Sequence, residues 1–264
     1  MRRIGFKYFY FYFLLILLSF AFHSSIFAQG EELCEELFRR HGFLEEVEGN
    51  QALEWVRAQN GRTLERLKAD PRFAQIKAQA LELSIAKDRI VYGSFDGKFI
   101  YNFWQDEKNP KGILRRTTLR RYLSLDPRWE IVLDIDALSA QEKENWVYKG
   151  MDRLEGDETH ALVFLSGGGK DATLVREFNL EKKEFVSGGF ELPESKSDVS
   201  WLDQDTLIVG AAFEESERTD SGYPRVIKLW KRGTPLKNAS IIFEGKKEDV
   251  GVGAWVLKRK DGKK

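Results

Sequence analysis

The sequence predicts a mainly β protein led by α-helices, forming a partial β-propeller of about three blades and the start of a fourth. Three observations predict it. Apolar residues recur at spacings of three and four as far as Ser84, then alternate at a period of two after Asp88. Beyond that switch, an acidic turn followed by an apolar strand repeats at intervals close to the length of a four-stranded blade. Aromatic residues make up 13% of the chain, a share that favours sheet over helix.

The elements follow in order. Arg2, Arg3 and Lys7 precede an apolar run from Tyr8 to Phe22, and small Ala28 closes the segment, so residues 1–28 read as a secretory signal peptide. The run is shorter than the roughly 20 residues a spanning helix needs, which places a retained membrane anchor second. The Arg2-Arg3 pair falls short of a twin-arginine signal because Phe6 lies one place too far from it. An exported chain, periplasmic or extracellular, is the expectation. No membrane contact is expected once the signal is cleaved. Residues 29–86 form a helical segment. Leu53, Val56, Leu64 and Leu67 share one face, and Asp70-Pro71 restarts a helix in which Phe73, Ile76, Ala80 and Leu83 continue the stripe. Such stripes are expected to be buried.

Residues 87–264 form the partial propeller. Asp96-Gly97-Lys98 precedes Phe99, Asp157-Glu158-Thr159 precedes Ala161, and Asp203-Gln204-Asp205 precedes Leu207; Asp261-Gly262-Lys263 has no strand after it. Asp96, Asp157, Asp205 and Asp261 are therefore 61, 48 and 56 residues apart. Each unit holds a later strand, at Ile113–Leu119, Ala172–Asn179 and Arg225–Lys231. Each also has a short closing strand, at Glu130–Leu133, Glu184–Val186 and Ile241–Glu244. The continuous apolar run Ala161–Leu165 suits a strand covered on both faces. Val250–Lys258 reads as the opening strand of a fourth blade, cut within its hairpin, and a sheet stack left open in this way exposes edges that invite association.

Charge and chemistry narrow the function classes. With 42 basic and 42 acidic residues, nothing in the overall charge favours nucleic acid or an anionic surface. Cys34 is the only cysteine, so no intramolecular disulfide forms, and its glutamate-rich flanks do not suit lipidation. His41 and His160 are too far apart in sequence to announce a metal site. No Gly-x-Ser-x-Gly nucleophile elbow occurs. Ser166-Gly167-Gly168-Gly169-Lys170 lacks the spacing of a phosphate cradle and reads as a hairpin loop. The acidic pairs Asp134/Asp136 and Asp203/Asp205 read as solvated turns, and no motif gives Ser221 a base. Asn238-Ala239-Ser240 fits a glycosylation acceptor, which matters only in a eukaryotic secretory host. No catalytic, cofactor-binding or metal-ligating residue is assigned, and no cofactor is expected.

Four segments carry a resemblance. Asn109-Pro110-Lys111-Gly112-Ile113-Leu114-Arg115-Arg116-Thr117-Thr118-Leu119, Glu144-Asn145-Trp146-Val147, Gly169–Phe178 and Asp220-Ser221-Gly222-Tyr223-Pro224-Arg225 together resemble the N-terminal region of prolyl-oligopeptidase-like serine peptidases. Trp55-Val56, Asn60 and Thr63 in the helical segment add to the likeness, which spans roughly Phe43 to Leu257. The resemblance implies a two-part enzyme. A seven-bladed propeller caps an α/β-hydrolase domain that cleaves short peptides, usually after proline, and the propeller filters substrates by size. It further implies that the leading helices pack with the hydrolase and that the catalytic Ser, Asp and His lie beyond these residues. The expected partners are thus short peptides and a missing α/β-hydrolase domain, and the chain alone is expected to be inactive. The alternative is a free-standing exported scaffold that binds peptides without catalysis.

Overall fold

The computed structural model describes residues 34–46 and 48–257; the expected signal segment, 1–28, and the expected turn at Asp261-Gly262 lie outside them. The chain divides into two compact units between Leu81 and Glu82.

In the first unit residues 34–41 are helical (α1), a 3-10 turn covers Gly42–Glu45, and α2 runs over Asn50–Lys68. The chain then restarts as α3, Phe73–Ile85. Asp70 performs the restart, its carboxylate accepting the Arg72 N–H at 2.9 Å and its carbonyl the Phe73 N–H at 2.9 Å. The expected stripes are present but not buried. In α2 only Ala52 is buried, while Val56, Leu64, Leu67, Ile76 and Leu83 are exposed. Within its own unit α2 has little more than α1 and the 3-10 turn to pack on. That surface is too small to cover an amphipathic helix of 19 residues.

The second unit contains three antiparallel sheets. The first has the order β1 (Ser94–Asp96), β2 (Phe99–Trp104), β3 (Ile113–Thr118), β4 (Glu130–Asp134), with a single helical turn α4 (Leu119–Tyr122) between the last two. Helix α5 (Ile135–Glu142) leads to the second sheet: β5 (Trp146–Arg153), β6 (His160–Gly167) and β7 (Thr173–Asn179), whose outer edge is shared by β8 (Glu184–Phe185) and β9 (Glu191–Ser195). The third is β10 (Ser197–Asp203), β11 (Thr206–Ala211), β12 (Val226–Lys231), β13 (Ser240–Glu244). This is the expected partial propeller: an open stack of four-stranded units, each acidic turn being the hairpin between a first and a second strand.

The structure corrects the sequence reading in three places. Glu184–Phe185 pairs only with the end of β7, and the rest of the edge is closed by β9, with Leu192 opposite Val175. Pro193 and two glutamates disguise β9 as a loop, yet an edge strand tolerates all three. Asp134 and Asp136 do not form a solvated turn. Asp134 caps α5 by accepting the Ala137 N–H at 2.9 Å, and Asp136 accepts the N–H groups of Lys111 and Gly112 at 3.0 and 3.3 Å. Residues 250–257 have no regular secondary structure, because no neighbouring strand is present among the described residues to complete a ladder. They lie instead along the third sheet, where Val252 N–H donates to Pro224 O at 2.8 Å and Ala254 N–H to Asp198 at 2.9 Å.

Strand β6 supplies two cores at once. Ala161, Val163 and Leu165, all fully buried, pack with Tyr101, Leu114 and Leu133 of the first sheet, while Leu162 on the opposite face packs with Val199, Trp201 and Leu207 of the third. Polar latches reinforce both junctions. Arg116 of β3 donates to Leu180 O at 2.9 Å and to Glu130 at 2.8 Å. Hydrogen bonds from Arg116 and Lys183 hold the Glu130 carboxyl at about 2. On the other side the buried Glu177 of β7 accepts Arg232 Nη1 and Nη2 at 2.7 and 3.0 Å, together with the Phe190 N–H at 2.8 Å. Gly189 permits this, since a Cβ there would lie 2.7 Å from Glu177 Oε2.

The outer face of the first sheet is different in kind. Arg89 and Arg115 each stand 4.3 Å from the Trp104 ring, and Arg115 also covers Trp129 at 4.4 Å, so guanidinium and indole groups alternate. Asn102 accepts Arg115 Nε at 2.8 Å from below.

Removing one member of a buried charged pair strands the other. Arg232→Met is expected to cost about 3 kcal/mol in urea denaturation, and Glu177→Gln in the same background to recover part of it. A single variant as stable as the parent would show that the latch contributes nothing.

Candidate functional site

The two ends of the sheets differ. Strands β2 and β11 each start at a two-residue acidic turn and run toward a longer connection, residues 105–112 and 212–225, while β6 runs from the acidic turn 154–159 to the glycine hairpin 168–172. Long loops on a rigid scaffold are where binding residues concentrate. The loop end is therefore the candidate site.

Its loops are fixed from within. Asp106 shapes the first by accepting the Trp104 indole N–H at 3.0 Å and the backbone N–H groups of Lys108 and Asn109 at 3.0 and 2.9 Å. Burial pushes the Asp106 carboxyl up, but these hydrogen bonds outweigh it and hold the group below the usual carboxylate range. Gly112 ends this loop at φ 100°, and any side chain there would collide with Phe103. In the glycine run, Gly168 and Gly169 adopt φ 69° and 82°, and Ser166 donates to Lys170 O at 2.8 Å, so it is a hairpin loop as expected. In the third loop the buried Thr219 donates to Val250 O at 3.0 Å, while Arg218 reaches the carbonyls of Ala212 and Phe213.

The loops are also tied to one another. Asp136 joins the first to α5, Lys111 donates to Asn145, and Gly168 N–H donates to Asn145 O at 2.7 Å. Tyr223 OH donates to Asp171 at 2.7 Å, and Lys196 lies 4.1 Å above the Tyr223 ring and 3.5 Å from Asp171. The tyrosine hydroxyl holds the Asp171 carboxyl below its ordinary value, and the carboxylate raises the phenol. A cleft of about 330 Å³ lies beside this group, between Asp171, Asp198 and Tyr223 on one side and Gly251–Gly253 on the other. Parts of all four resembling segments thus meet at one end of the stack, although they are scattered over more than a hundred positions of sequence.

The first strands of the three sheets converge. Arg153 of β5 pairs with Asp96 of β1, and Trp201 Nε1 of β10 donates to Asp152 O of β5 at 3.2 Å. Burial raises the Asp152 carboxyl, with Asp198 adding to the shift.

Other residues singled out by sequence do not assemble. Ser221 sits in the loop end, whereas His160 opens β6 at the turn end, so about 23 Å of strand separates their ends. His160 Nδ1 lies 2.9 Å from Asp157, and the pair shapes its own turn. Burial raises Asp157, but hydrogen bonds from Thr159 and His160 outweigh it and leave the group at about 2. Asp203 and Asp205 lie in an exposed turn, as expected, where Asp203 accepts the Asp205 N–H at 3.0 Å and Asp205 also pairs with Arg232 at 3.2 Å. Asn238 is exposed at the end of a 3-10 turn, and Cys34 is exposed. His41 stands edge-on to Trp55 at 6.3 Å. Sequence reasoning missed Asp106 and the Tyr223–Asp171 pair, and took Asp136 for a solvated acid. Their signal was faint: an acidic residue two or three places before a turn, or partners far apart in the chain.

Comparison with known proteins agrees with this architecture. The family described as prolyl oligopeptidase, N-terminal β-propeller domain, matches residues 40–263. The chain is 45% identical over 223 residues to the uncharacterized peptidase y4nA of Sinorhizobium fredii, covering 84% of this chain and 31% of that protein. It is 35% identical over 220 residues to the uncharacterized peptidase RP174 of Rickettsia prowazekii, covering 80% and 30%. Among solved structures, a post-proline cleaving enzyme from Rickettsia typhi superposes with a TM-score of 0.78 at 35% identity, over 85% of this chain and 34% of that one. This chain therefore spans about a third of the length of these proteins.

Asp136 is half-buried and holds the first loop by two backbone bonds, and losing hydrogen bonds to a charged acceptor costs about 1.5–3 kcal/mol. Asp136→Ala is expected to lose stability in that range and to speed amide exchange at Lys111 and Gly112. Unchanged exchange at both would mean that the loop is held elsewhere.

Proposed function

The chain belongs to the prolyl oligopeptidase family by its N-terminal β-propeller domain, and from that premise we propose that it is the substrate-gating part of an exported serine-type oligopeptidase. In this reading the whole enzyme acts on short proline-containing peptides, and an α/β-hydrolase domain outside these residues supplies the catalytic groups. The observation that carries the reading is the loop end. Three loops are cross-linked there by Asn145, Asp136 and the Tyr223–Asp171 pair, giving a tied rim to a surface on which, among the described residues, no nucleophile and base are assembled. A rim of this kind suits selection by size rather than chemistry. The exposed stripes of α2 and α3 support a further packing partner, for which the hydrolase domain is the proposed occupant.

The test is a chimera in which this chain replaces the matching region of the Sinorhizobium fredii relative. It is expected to hydrolyse a short proline-containing peptide and to spare a folded protein carrying the same sequence in a surface loop. Equal cleavage of both would refute gating, and no cleavage by a folded chimera would refute the shared activity.

Export rests on the basic start and the apolar run Tyr8–Phe22. N-terminal sequencing of the mature protein is expected to begin at Gln29; a protein that retains Met1 would overturn export by cleavage. The second reading, a peptide-binding scaffold without catalysis, draws support from the two inter-sheet cores, which are well buried within the described residues.

A further inference from the structure

Arginines between the sheets have carboxylate partners, and those on the outer face of the first sheet do not. Arg116, Arg176 and Arg232 pair with Glu130, Glu142 and Glu177 at 2.8, 2.7 and 2.7 Å. Among the described residues, Arg115 instead donates its Nε–H to Asn102 at 2.8 Å, and Arg89 donates to the carbonyls of Ala86 and Gln105. Asp106 acts on Arg115 only through space, because its oxygens are taken by the Trp104 indole and the backbone of its own loop.

Arg115 is held in place from three sides. Its guanidinium lies between two indoles, 4.3 Å from the centre of Trp104 and 4.4 Å from that of Trp129. Asn102, 8% exposed, donates to Tyr92 O at 2.9 Å, which turns its own carbonyl toward Arg115 Nε. With Nε bound, four N–H donors remain on Nη1 and Nη2, in the planar fork that a carboxylate meets with two parallel bonds. Burial pushes the Arg115 guanidinium down to about 10; Asp106 offsets part of this and Arg89 adds to it. The charge is thus desolvated without being compensated. We propose that Arg115 is a carboxylate-binding fork, and that its occupant is an Asp or Glu side chain from the part of the whole enzyme outside these residues, in a layer packed on the outer face of the first sheet. Ile131, opposite Arg115 across β3 and β4, is 50% exposed. A small free anion would neutralise the fork but leave this isoleucine and the indoles wet, whereas a packed layer covers both. Polypeptide for such a layer exists in the relatives, of which this chain spans about a third.

The occupant rests on the whole enzyme proposed above, but not on its hydrolysis or gating. Arg115→Lys places an amine at the fork, and a carbodiimide joins an amine to a carboxylate only where the two are in contact. The variant is made in the Sinorhizobium fredii chimera, treated, digested and read by mass spectrometry. The Lys183–Glu130 and Lys228–Glu217 pairs serve as internal controls for cross-linking and for the fold. A link is expected from position 115 to an Asp or Glu outside residues 1–264, and no link from that position in the isolated chain carrying the same substitution. A link to Asp106, a link between isotopically light and heavy molecules, or no link while both controls form would each overturn the assignment. The unsubstituted proteins give a second measurement. Phenylglyoxal is expected to modify Arg115 about tenfold more slowly in the chimera than in the isolated chain, as a charged hydrogen bond would make it; equal rates would overturn the assignment. A linked chimera that cleaves nothing refutes the function proposed above alone, and an active chimera without the link refutes the fork alone.

Discussion

Strand β6 has no solvent-facing side, and the second unit is arranged around that constraint. A strand whose alternate residues are all apolar needs a packed layer on each face. Ala161, Val163 and Leu165 take the first sheet, and Leu162 takes the third. The second sheet is consequently the middle of a sandwich, and polar groups on its neighbouring strands must find partners inside the protein. Glu177, next door on β7, meets that demand with Arg232 and the Phe190 N–H. Arg116 meets it across the other junction through a carbonyl and a carboxylate. Apolar burial drives the stacking, and these charged bonds fix its register.

Antiparallel sheets of this kind sort their connections by end. Hairpins between first and second strands need only a few residues, and the acidic turns provide them. The opposite end holds the connections 105–112, 168–172 and 212–225, and they do not stand free. Asn145, Asp136, Thr219 and the Tyr223–Asp171 pair bind them to one another and to the scaffold. Loops tied in this way are pre-organised rather than free to rearrange.

Much of this was legible in the sequence. The change of period after Asp88, the repeating acidic turns and the run Ala161–Leu165 placed the second, third and most of the fourth strands of each sheet. They are legible because turn chemistry and apolar alternation are local signals. The first strands β5 and β10 were obscured, since their residues mix lysine, aspartate and serine with apolar groups and face a partly open edge. Strand β9 was hidden by Pro193, and α5 by a short, weakly patterned stretch whose cap, Asp134, looked like a solvent-facing acid. The rim of the loop end was not legible at all. Its bonds join residues such as Asp171 and Tyr223, 52 positions apart, and only the stacking of sheets brings them together.

The ladder of Arg89, Trp104, Arg115 and Trp129 gives the stack a direction. The far face of the third sheet is aliphatic and aromatic, with Ile208, Leu229 and Phe243 on it, whereas the near face of the first carries two guanidinium groups. A second copy approaching head to tail would have to dehydrate both cations against hydrocarbon, a cost that grows with every copy added. Repetition within one chain and polymerisation between chains use the same sheet-on-sheet geometry. Any layer that covers the first sheet, within the chain or between chains, has to meet those two cations.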